Sequence, residues 1–527
     1  MKEFIIKNKD KIIIGLLILT IILQVALRIQ YGKEKTYLHI DEGYSYGLMN
    51  YDKIDIMNND DFYNNWHQDK YYEDYLTISK EEAKDFTPVY ENQKNDVHPP
   101  LFYLLLRGAA SFTIDSFSKW TGIGLNIIIF IITSIMIYLV ANKIFKNKLY
   151  AISVVLINGF TLAAIDTTIF IRMYALNALN LLIISYLHII NLDKQELKIR
   201  ELCIMSVFII LGSLTHYHYL VFLFILYVIY MIKFIRNKNV KNAVKYTSMM
   251  VVSAIISLCI FPYSFVHMFM GYRGQEAISS LEKIPQMWNS LGQYLVILNN
   301  HVFNGILILI LAIIAVIAIM KIAKNKKLTI SFTNKEFLLL LIPTLMYFTI
   351  IALISPYQET RYIMPICPLL VITVIYGLKV VLEKVVSKKS TFIILNCLFI
   401  VMLFIPQIFN IELMYFYKDK TDIVEYIEEK HNVPALYIFN KEQNRFLDDI
   451  YMFTKLDNSY ILDSKLFNVE KVREVFDGID IKNGIIVFIN GGLENDECLE
   501  TLKEELNCSS YKWIKRMNAC DIYLIEK

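Results

Sequence analysis

The sequence is short of the features that punctuate most soluble folds. Among 527 residues there are only 18 glycines and 11 prolines, so its long apolar runs are left largely unbroken. Seven cysteines are scattered without a Cys-x-x-Cys pair, which excludes a zinc ribbon or a dithiol redox motif. Cys203, Cys259, Cys367 and Cys397 stand in apolar runs and read as packing residues. Cys498, Cys508 and Cys520 are an odd set, and no disulfide is expected. Excess charge is also missing: the formal net charge is +3, too small to point to nucleic acid. No internal repeat is visible.

What is present is hydrophobic length. Hydrophobic residues make up 55% of the chain, concentrated in runs rich in Ile and Leu before residue 410. A helix crossing a bilayer needs about 20 mostly apolar residues. Spans are expected at roughly 12–27, 121–141, 149–165, 169–190, 201–215, 217–235, 244–266, 303–322, 336–354, 362–382 and 391–410. That gives about 11 transmembrane helices in a polytopic α-helical membrane protein. Residues 411–527 have soluble composition. Leu436–Phe439 and Ile485–Ile489 read as buried strands alternating with helical patterns such as Asp422–Lys430 and Asp496–Leu506, which predicts a small α/β domain with a partly parallel sheet.

Charge orients these spans. Lys2, Lys7, Lys9 and Lys11 precede the first run and place that end in the cytoplasm. No small-x-small cleavage site follows, so a retained helix is expected. Lys and Arg clusters at 193–200, 233–245, 321–327 and 379–389 all fall inside under one alternation. The N terminus is then cytoplasmic and the C terminus outside. The apolar stretch 98–113 is barely long enough to span, and because the run 121–141 ends in Lys143, Lys146 and Lys148, a cytoplasmic signature, it reads as a juxtamembrane helix on the outer side. Two segments are expected: a membrane domain over 1–410, with an outer loop over 30–120, and an extracytoplasmic domain over 411–527.

Ionisable groups are costly within a bilayer, so their positions carry information. Asp41, Glu42, Asp96, His98, Asp166, Arg172, His216, His218 and Arg361 all fall at the outer side, with His188 near an inner end. A one-sided set of this kind is expected of an active site at the outer membrane surface. Adjacent residues on an extended chain point opposite ways, so one of Asp41 and Glu42 would face the cleft and the other a neighbour. Asp41 is assigned to the cleft, as a general base. The two acids could also hold a divalent cation, Mg or Mn, through oxygen ligands, although two adjacent acids are thin grounds for a cofactor. His98, behind Asp96 and before Pro99-Pro100, is placed to meet phosphate or orient a carboxylate. Arg172 and Arg361 suit phosphate through the planar guanidinium, or else snorkel to the rim. His216-Tyr217-His218 reads either as an interfacial aromatic belt or as donors to substrate; no third ligand adjoins the two histidines.

Taken in order, these stretches resemble a known family. Asp41-Glu42 after the first span is followed by Asp96-Val97-His98-Pro99-Pro100-Leu101-Phe102-Tyr103 and then by Arg172-Met173-Tyr174-Ala175-Leu176. Thr215-His216-Tyr217 and Arg361-Tyr362-x-x-Pro365-x-x-Pro368-Leu369 come next. The set is similar to the GT-C glycosyltransferases, in the bacterial branch related to protein O-mannosyltransferases and aminoarabinose transferases. The resemblance covers about 1–410; 411–527 matches no motif. It implies a hexosyl or pentosyl transferase of the bacterial plasma membrane. A sugar would pass from a polyprenyl-phosphate donor to an envelope acceptor that is a glycolipid, a wall polymer or a protein. By the same resemblance Asp41 is the base and Asp96 a second acid, with Glu42 beside them in the catalytic set. His98, Arg172, Tyr174, His216, Tyr217, Arg361 and Tyr362 would contact substrate. His98 stands where some relatives carry Lys. A lipid phosphate is a good leaving group, so cations to hold its charge and one base for the acceptor hydroxyl suffice for an inverting displacement.

Two other classes compete. A transporter or flippase of lipid-linked sugars would bring repeats, broken helices and polar sites near the bilayer midplane, none of which the sequence suggests. A non-catalytic envelope assembly protein would tolerate loss of Asp41.

Overall fold

A computed structural model describes residues 8–50, 56–280, 284–323, 333–355, 357–440, 445–490, 494–518 and 520–527. Lys2, Lys7 and the lysines at 324–327, all used in the topology expectation, lie outside the described residues. The chain forms two compact units. One comprises Met1–Gly32, Val97–Phe102 and Ile123–Met414; the other comprises Lys33–Asp96, Tyr103–Gly122 and Tyr415–Lys527.

The helices are α1 (Lys9–Glu34), α2 (Ile40–Asn50), α3 (Asp69–Leu76), α4 (Thr87–Asn95), α5 (Leu101–Ala110) and α6 (Lys119–Phe145). Next come α7 (Lys148–Gly159), α8 (Leu162–Ile169), α9 (Tyr174–Asn191), α10 (Ile199–Ser213), α11 (His218–Arg236) and α12 (Val240–Ile260). Then follow α13 (Tyr263–Phe269), α14 (Tyr272–Ser280) and α15 (Ile284–Ile297), and α16 (Leu307–Ala323), α17 (Lys335–Ile354), α18 (Cys367–Leu382) and α19 (Lys388–Phe409). The C-terminal helices are α20 (Thr421–Glu429), α21 (Ile450–Phe453), α22 (Val469–Phe476) and α23 (Asn495–Glu505).

Among the described residues, eight helices are long and apolar enough to cross a membrane, or up to ten if each of two bent pairs is one span. The expected eleventh, over 201–215, is α10. It has 15 residues, which at 1.5 Å per residue falls short of the roughly 30 Å hydrocarbon core.

The bent pairs correct the expectation of unbroken spans. The axis turns by 62° between α7 and α8, and by 101° between Trp288–Val302 and Leu307–Met320. A break within a bilayer exposes backbone groups that water cannot satisfy. Asn304, at the second break and in the left-handed region at φ 48°, satisfies the first. Its Oδ1 accepts the Leu162 N–H at 2.8 Å, and its Nδ2 donates to the Phe160 carbonyl at 3.0 Å. Helix α1 supplies the rest. Gln24 Nε2 donates to the Val155 carbonyl at 3.0 Å. Arg28 Nη1 donates to the Gly159 carbonyl at 3.0 Å, and its Nε to Thr168 Oγ1 at 3.0 Å. Arg28 is wholly buried over the Phe130 ring. It is a cation at the carbonyl end of a half-helix, where the helix dipole favours positive charge.

The second unit is built on a six-stranded sheet in the order β1-β3-β2-β4-β6-β5. The strands are β1 (Trp66–Gln68), β2 (Ala435–Phe439), β3 (Asn458–Asp463), β4 (Ile485–Asn490), β5 (Ser510–Met517) and β6 (Cys520–Glu526). β2 is parallel to both β3 and β4, and the remaining pairs are antiparallel. β2 and β4 are buried along their whole length, as central strands covered on both faces are. Strand alternation sorts their side chains. Leu436 and Ile438 join Val472, Phe476, Leu499 and Leu502 in one core. Tyr437 meets Phe446 and Phe453 on the other face, where Tyr72 of α3 also packs.

Most of the segment 30–120, namely Lys33–Asp96 and the part from Tyr103, therefore belongs to this unit, whereas the sequence assigned it with the membrane domain. Trp66 pairs with Tyr460 and His67 with Ser459, so β1 covers the edge of β3, which would otherwise offer unpaired backbone groups. Buried Arg107 of α5 fastens the same loop, donating to the carbonyls of Met49 at 2.7 Å and Glu82 at 2.8 Å and also to that of Asp85.

Candidate active site

Helix α2 carries the acidic pair, in helical rather than extended conformation. Successive side chains are then roughly 100° apart around the axis, enough to send neighbours to different surroundings. His39 stands at the N-cap. Its Nδ1 accepts the Asp41 backbone N–H at 3.1 Å, while Glu42 Oε2 reaches back to the His39 backbone N–H at 2.8 Å. This reciprocal arrangement is a capping box with His in place of Ser or Thr. Glu42 is fully buried, and its Oε2 also receives Lys35 Nζ at 2.9 Å. Lys35 in turn donates to the Tyr415 carbonyl at 2.7 Å. Asp41 differs from its neighbour: its side chain is 21% exposed, with Oδ2 3.8 Å from His39 Nδ1. Glu42 is thus committed to cation and cap, and Asp41 is the acid that reaches solvent. The two do not form a paired oxygen ligand set. Among the described residues, no three His, Cys, Asp or Glu side chains could hold a metal ion.

Asp96 is the half-buried C-cap of α4, its N–H bonded to the Asn92 carbonyl at 3.1 Å. Behind α2 lies a second acidic pair that the sequence reading did not single out. Asp449 is buried and accepts Asn518 Nδ2 at 3.0 Å. Burial, with Asp448 alongside, pushes its carboxyl up to about 8. Asp448 pairs with Arg445 at 2.7 Å, and its carbonyl accepts the Tyr37 hydroxyl.

In the first unit the other candidates meet around His216. Its ring lies 6.0 Å from His98, 5.7 Å from Tyr174 and 4.5 Å from His218. His218 continues to Tyr362 at 6.2 Å. The segment 98–102 is joined to the end of α10 by the Leu101 N–H on the Leu214 carbonyl at 3.0 Å. Burial lowers the His216 pKa well below its ordinary value, and the charges of His218, His98 and Arg172 push the same way. Arg172 is itself nearly buried at the turn between α8 and α9. Arg361 lies beside the Tyr362 ring at 5.3 Å and pairs with Glu359 at 2.9 Å. Tyr217 bonds to His267 Nδ1 at 2.8 Å. Asp166 accepts the Met414 backbone N–H at 3.0 Å.

His98, Tyr174, His216 and Tyr362 are therefore one cluster, with Arg172 and Arg361 at its margin. Asp41, Glu42 and Asp96 lie in the other unit. Sequence reasoning assigned no role to His39 or Lys35; the His-x-x-Glu spacing ahead of Tyr44 and Tyr46 was the available sign of a cap.

This is a polytopic helical membrane protein with the GT-C glycosyltransferase fold and a small C-terminal sheet region. Residues 97–261 match the family described as dolichyl-phosphate-mannose-protein mannosyltransferase. No curated protein matches the sequence. Among solved structures, ArnT from Cupriavidus metallidurans bound to undecaprenyl phosphate superposes with TM-score 0.51 at 10% identity, covering 97% of this chain and 98% of that one. AglB from Archaeoglobus fulgidus, an oligosaccharyltransferase in complex with an inhibitory peptide and a dolichol-phosphate, gives TM-score 0.48 at 11% identity, covering 92% and 70%.

Proposed function

We propose that the protein transfers a sugar from a polyprenyl-phosphate donor to an acceptor outside the cytoplasm, such as an envelope glycan, a lipid or a protein. The observation that carries this reading is the division of labour between adjacent acids: Glu42 is buried on Lys35, and the Asp41 carboxylate reaches solvent beside His39, whose Nδ1 caps the Asp41 backbone N–H. Asp41 accepts the proton of the acceptor hydroxyl as its oxygen attacks the anomeric carbon from the face opposite the phosphate, which inverts the centre. Asp96 serves as a second acid that positions the acceptor. The departing lipid phosphate is held by Arg172 and Arg361, with His98 donating. The protein lies in a bacterial plasma membrane with its N terminus cytoplasmic and both acids outside.

Asp41→Asn keeps the size of the side chain and loses the base. The initial rate of envelope glycan modification, followed by mass spectrometry, should fall roughly 100- to 10,000-fold. Binding of undecaprenyl phosphate should be unchanged. A wild-type rate in Asp41→Asn with an inactive Asp96→Asn moves the base to Asp96; wild-type rates in both variants remove the enzymatic reading. The two broken spans favour a second reading, a flippase of lipid-linked sugars, because discontinuous helices line transport sites. Mass spectrometry separates the two: transfer yields a covalently modified acceptor and free lipid phosphate, whereas flipping leaves the lipid-linked sugar intact.

A further inference from the structure

Resting on the reading of Asp41 as base, we propose that Tyr417, from the C-terminal region, is a positioning residue that sets the Asp41 carboxylate through the His39 ring. Tyr37 and His39 stand two residues apart just ahead of α2. Tyr417 meets both. Its ring stacks on His39 at 6.0 Å with 13° between planes and meets Tyr37 edge-on at 5.5 Å. Tyr415 closes the other side of His39, edge-on at 5.7 Å.

The His39 ring matters because its Nδ1 accepts the Asp41 N–H at 3.1 Å, which fixes the residue that carries the carboxylate; Asp41 Oδ2 lies 3.8 Å from the same nitrogen as a neighbour, not as a hydrogen-bond partner. A ring free to turn would release the N–H contact. The stack on Tyr417 holds it.

Tyr417 is itself held at a conformational cost. Its backbone lies at φ 54°, ψ 46°, in the left-handed region that a bulky aromatic residue seldom adopts. Strain of this kind persists where surrounding structure fixes it. That structure is visible: Lys420 Nζ lies 4.2 Å from the Tyr37 ring centre and 4.7 Å from that of Tyr417, and it donates to Asn518 Oδ1 at 2.5 Å. Asn518 donates onward to Asp449. The sheet region thereby holds the acid of the outer loop, which gives residues 415–527 a part in the reaction.

The test uses the full chain in membranes, with Tyr417→Gly, Tyr417→Asn, Tyr417→Phe and Asp41→Asn. Gly and Asn both tolerate the left-handed backbone but lack the ring. Three quantities are read: the initial rate of envelope glycan modification after induction, binding of undecaprenyl phosphate, and the melting temperature. Expected are a fall of about tenfold or more in rate for the Gly and Asn variants, with binding and melting unchanged, and recovery to within about twofold in Tyr417→Phe. A wild-type rate in both ringless variants, while Asp41→Asn is inactive, overturns the proposal and leaves the base intact. Lower melting in both ringless variants also overturns it, since the ring is then only a prop. A wild-type rate in Asp41→Asn overturns the underlying reading and this proposal with it.

Discussion

Lys35 Nζ lies 2.9 Å from Glu42 Oε2, with neither side chain exposed to solvent. The pair ties the segment leaving α1 to the first turn of the helix that bears Asp41. Two further bonds, to the Tyr415 carbonyl and from the His39 N–H, satisfy the groups that burial would otherwise strand. Removing one partner leaves a buried charge alone, at a cost of about 3–5 kcal/mol. Glu42→Gln and Lys35→Met should each lower thermal stability on that scale. The Lys35→Met/Glu42→Met double variant should lose less than the sum of the two singles. Additive losses in a double-mutant cycle would mean that the pair is not coupled. Transfer should suffer less in Glu42→Gln than in Asp41→Asn, because Glu42 acts through the helix cap.

Asp449 makes stability depend on pH in a stated direction. Its carboxyl is raised to about 8 in the folded chain, from 3.8 ordinarily. Between those values the folded state keeps a proton that the unfolded state has lost. The contribution of Asp449 to stability is therefore greatest below pH 4, falls as pH rises toward 8, and levels off above. The slope is at most about 1.4 kcal/mol per pH unit for one proton. Asp449→Asn, which cannot ionise, should flatten that slope and melt higher than wild type at pH 8. Parallel melting curves for the two proteins from pH 5 to 8 would show that Asp449 is already ionised when folded.

The spans were legible because apolar length is a one-dimensional signal. Ile12–Leu27, or Phe337–Ile354, needs no partner to be recognised. β2 and β4 were legible for the same reason, as short apolar runs. The breaks at Gly159–Thr161 and Asn304–Gly305 were not. The first is stabilised by Gln24, Arg28 and Asn304, all more than a hundred positions away, and Asn304 stands at the second. The assignment of the outer loop to the sheet was equally hidden, since β1 is only three residues long and its partner lies nearly 400 positions on. Asp41 could be picked from its place after a span. Its separation from Glu42 could be guessed, but the cause is the Lys35 ion pair and the His39 cap, which depend on Tyr415 and Tyr417 far along the chain.

The proposed topology is checked by labelling from outside. Asp496 is exposed in the C-terminal region, and Asn237 is exposed at the end of α11. Asp496→Cys should react with an impermeant thiol reagent in intact cells, above the background of the unsubstituted chain. Asn237→Cys should react only after lysis. Labelling of Asn237→Cys in intact cells would invert the arrangement and place both acids in the cytoplasm.

The phosphate site is tested by a gain as well as a loss. Arg361 pairs with Glu359 at 2.9 Å, and a lipid phosphate would compete with that carboxylate for the same guanidinium. Arg361→Lys keeps the charge but loses the planar fork, so undecaprenyl phosphate should bind about tenfold more weakly or worse. Arg172→Lys should behave alike. Glu359→Gln removes the competitor and should bind undecaprenyl phosphate more tightly than wild type. His216→Asn should change affinity little, because burial and neighbouring charges keep that imidazole neutral at physiological pH, leaving the arginines to supply the positive charge. Each is read by titrating purified protein with undecaprenyl phosphate at fixed ionic strength. If Arg361→Lys binds like wild type and Glu359→Gln gains nothing, Arg361 serves only its ion pair, and the phosphate is held elsewhere.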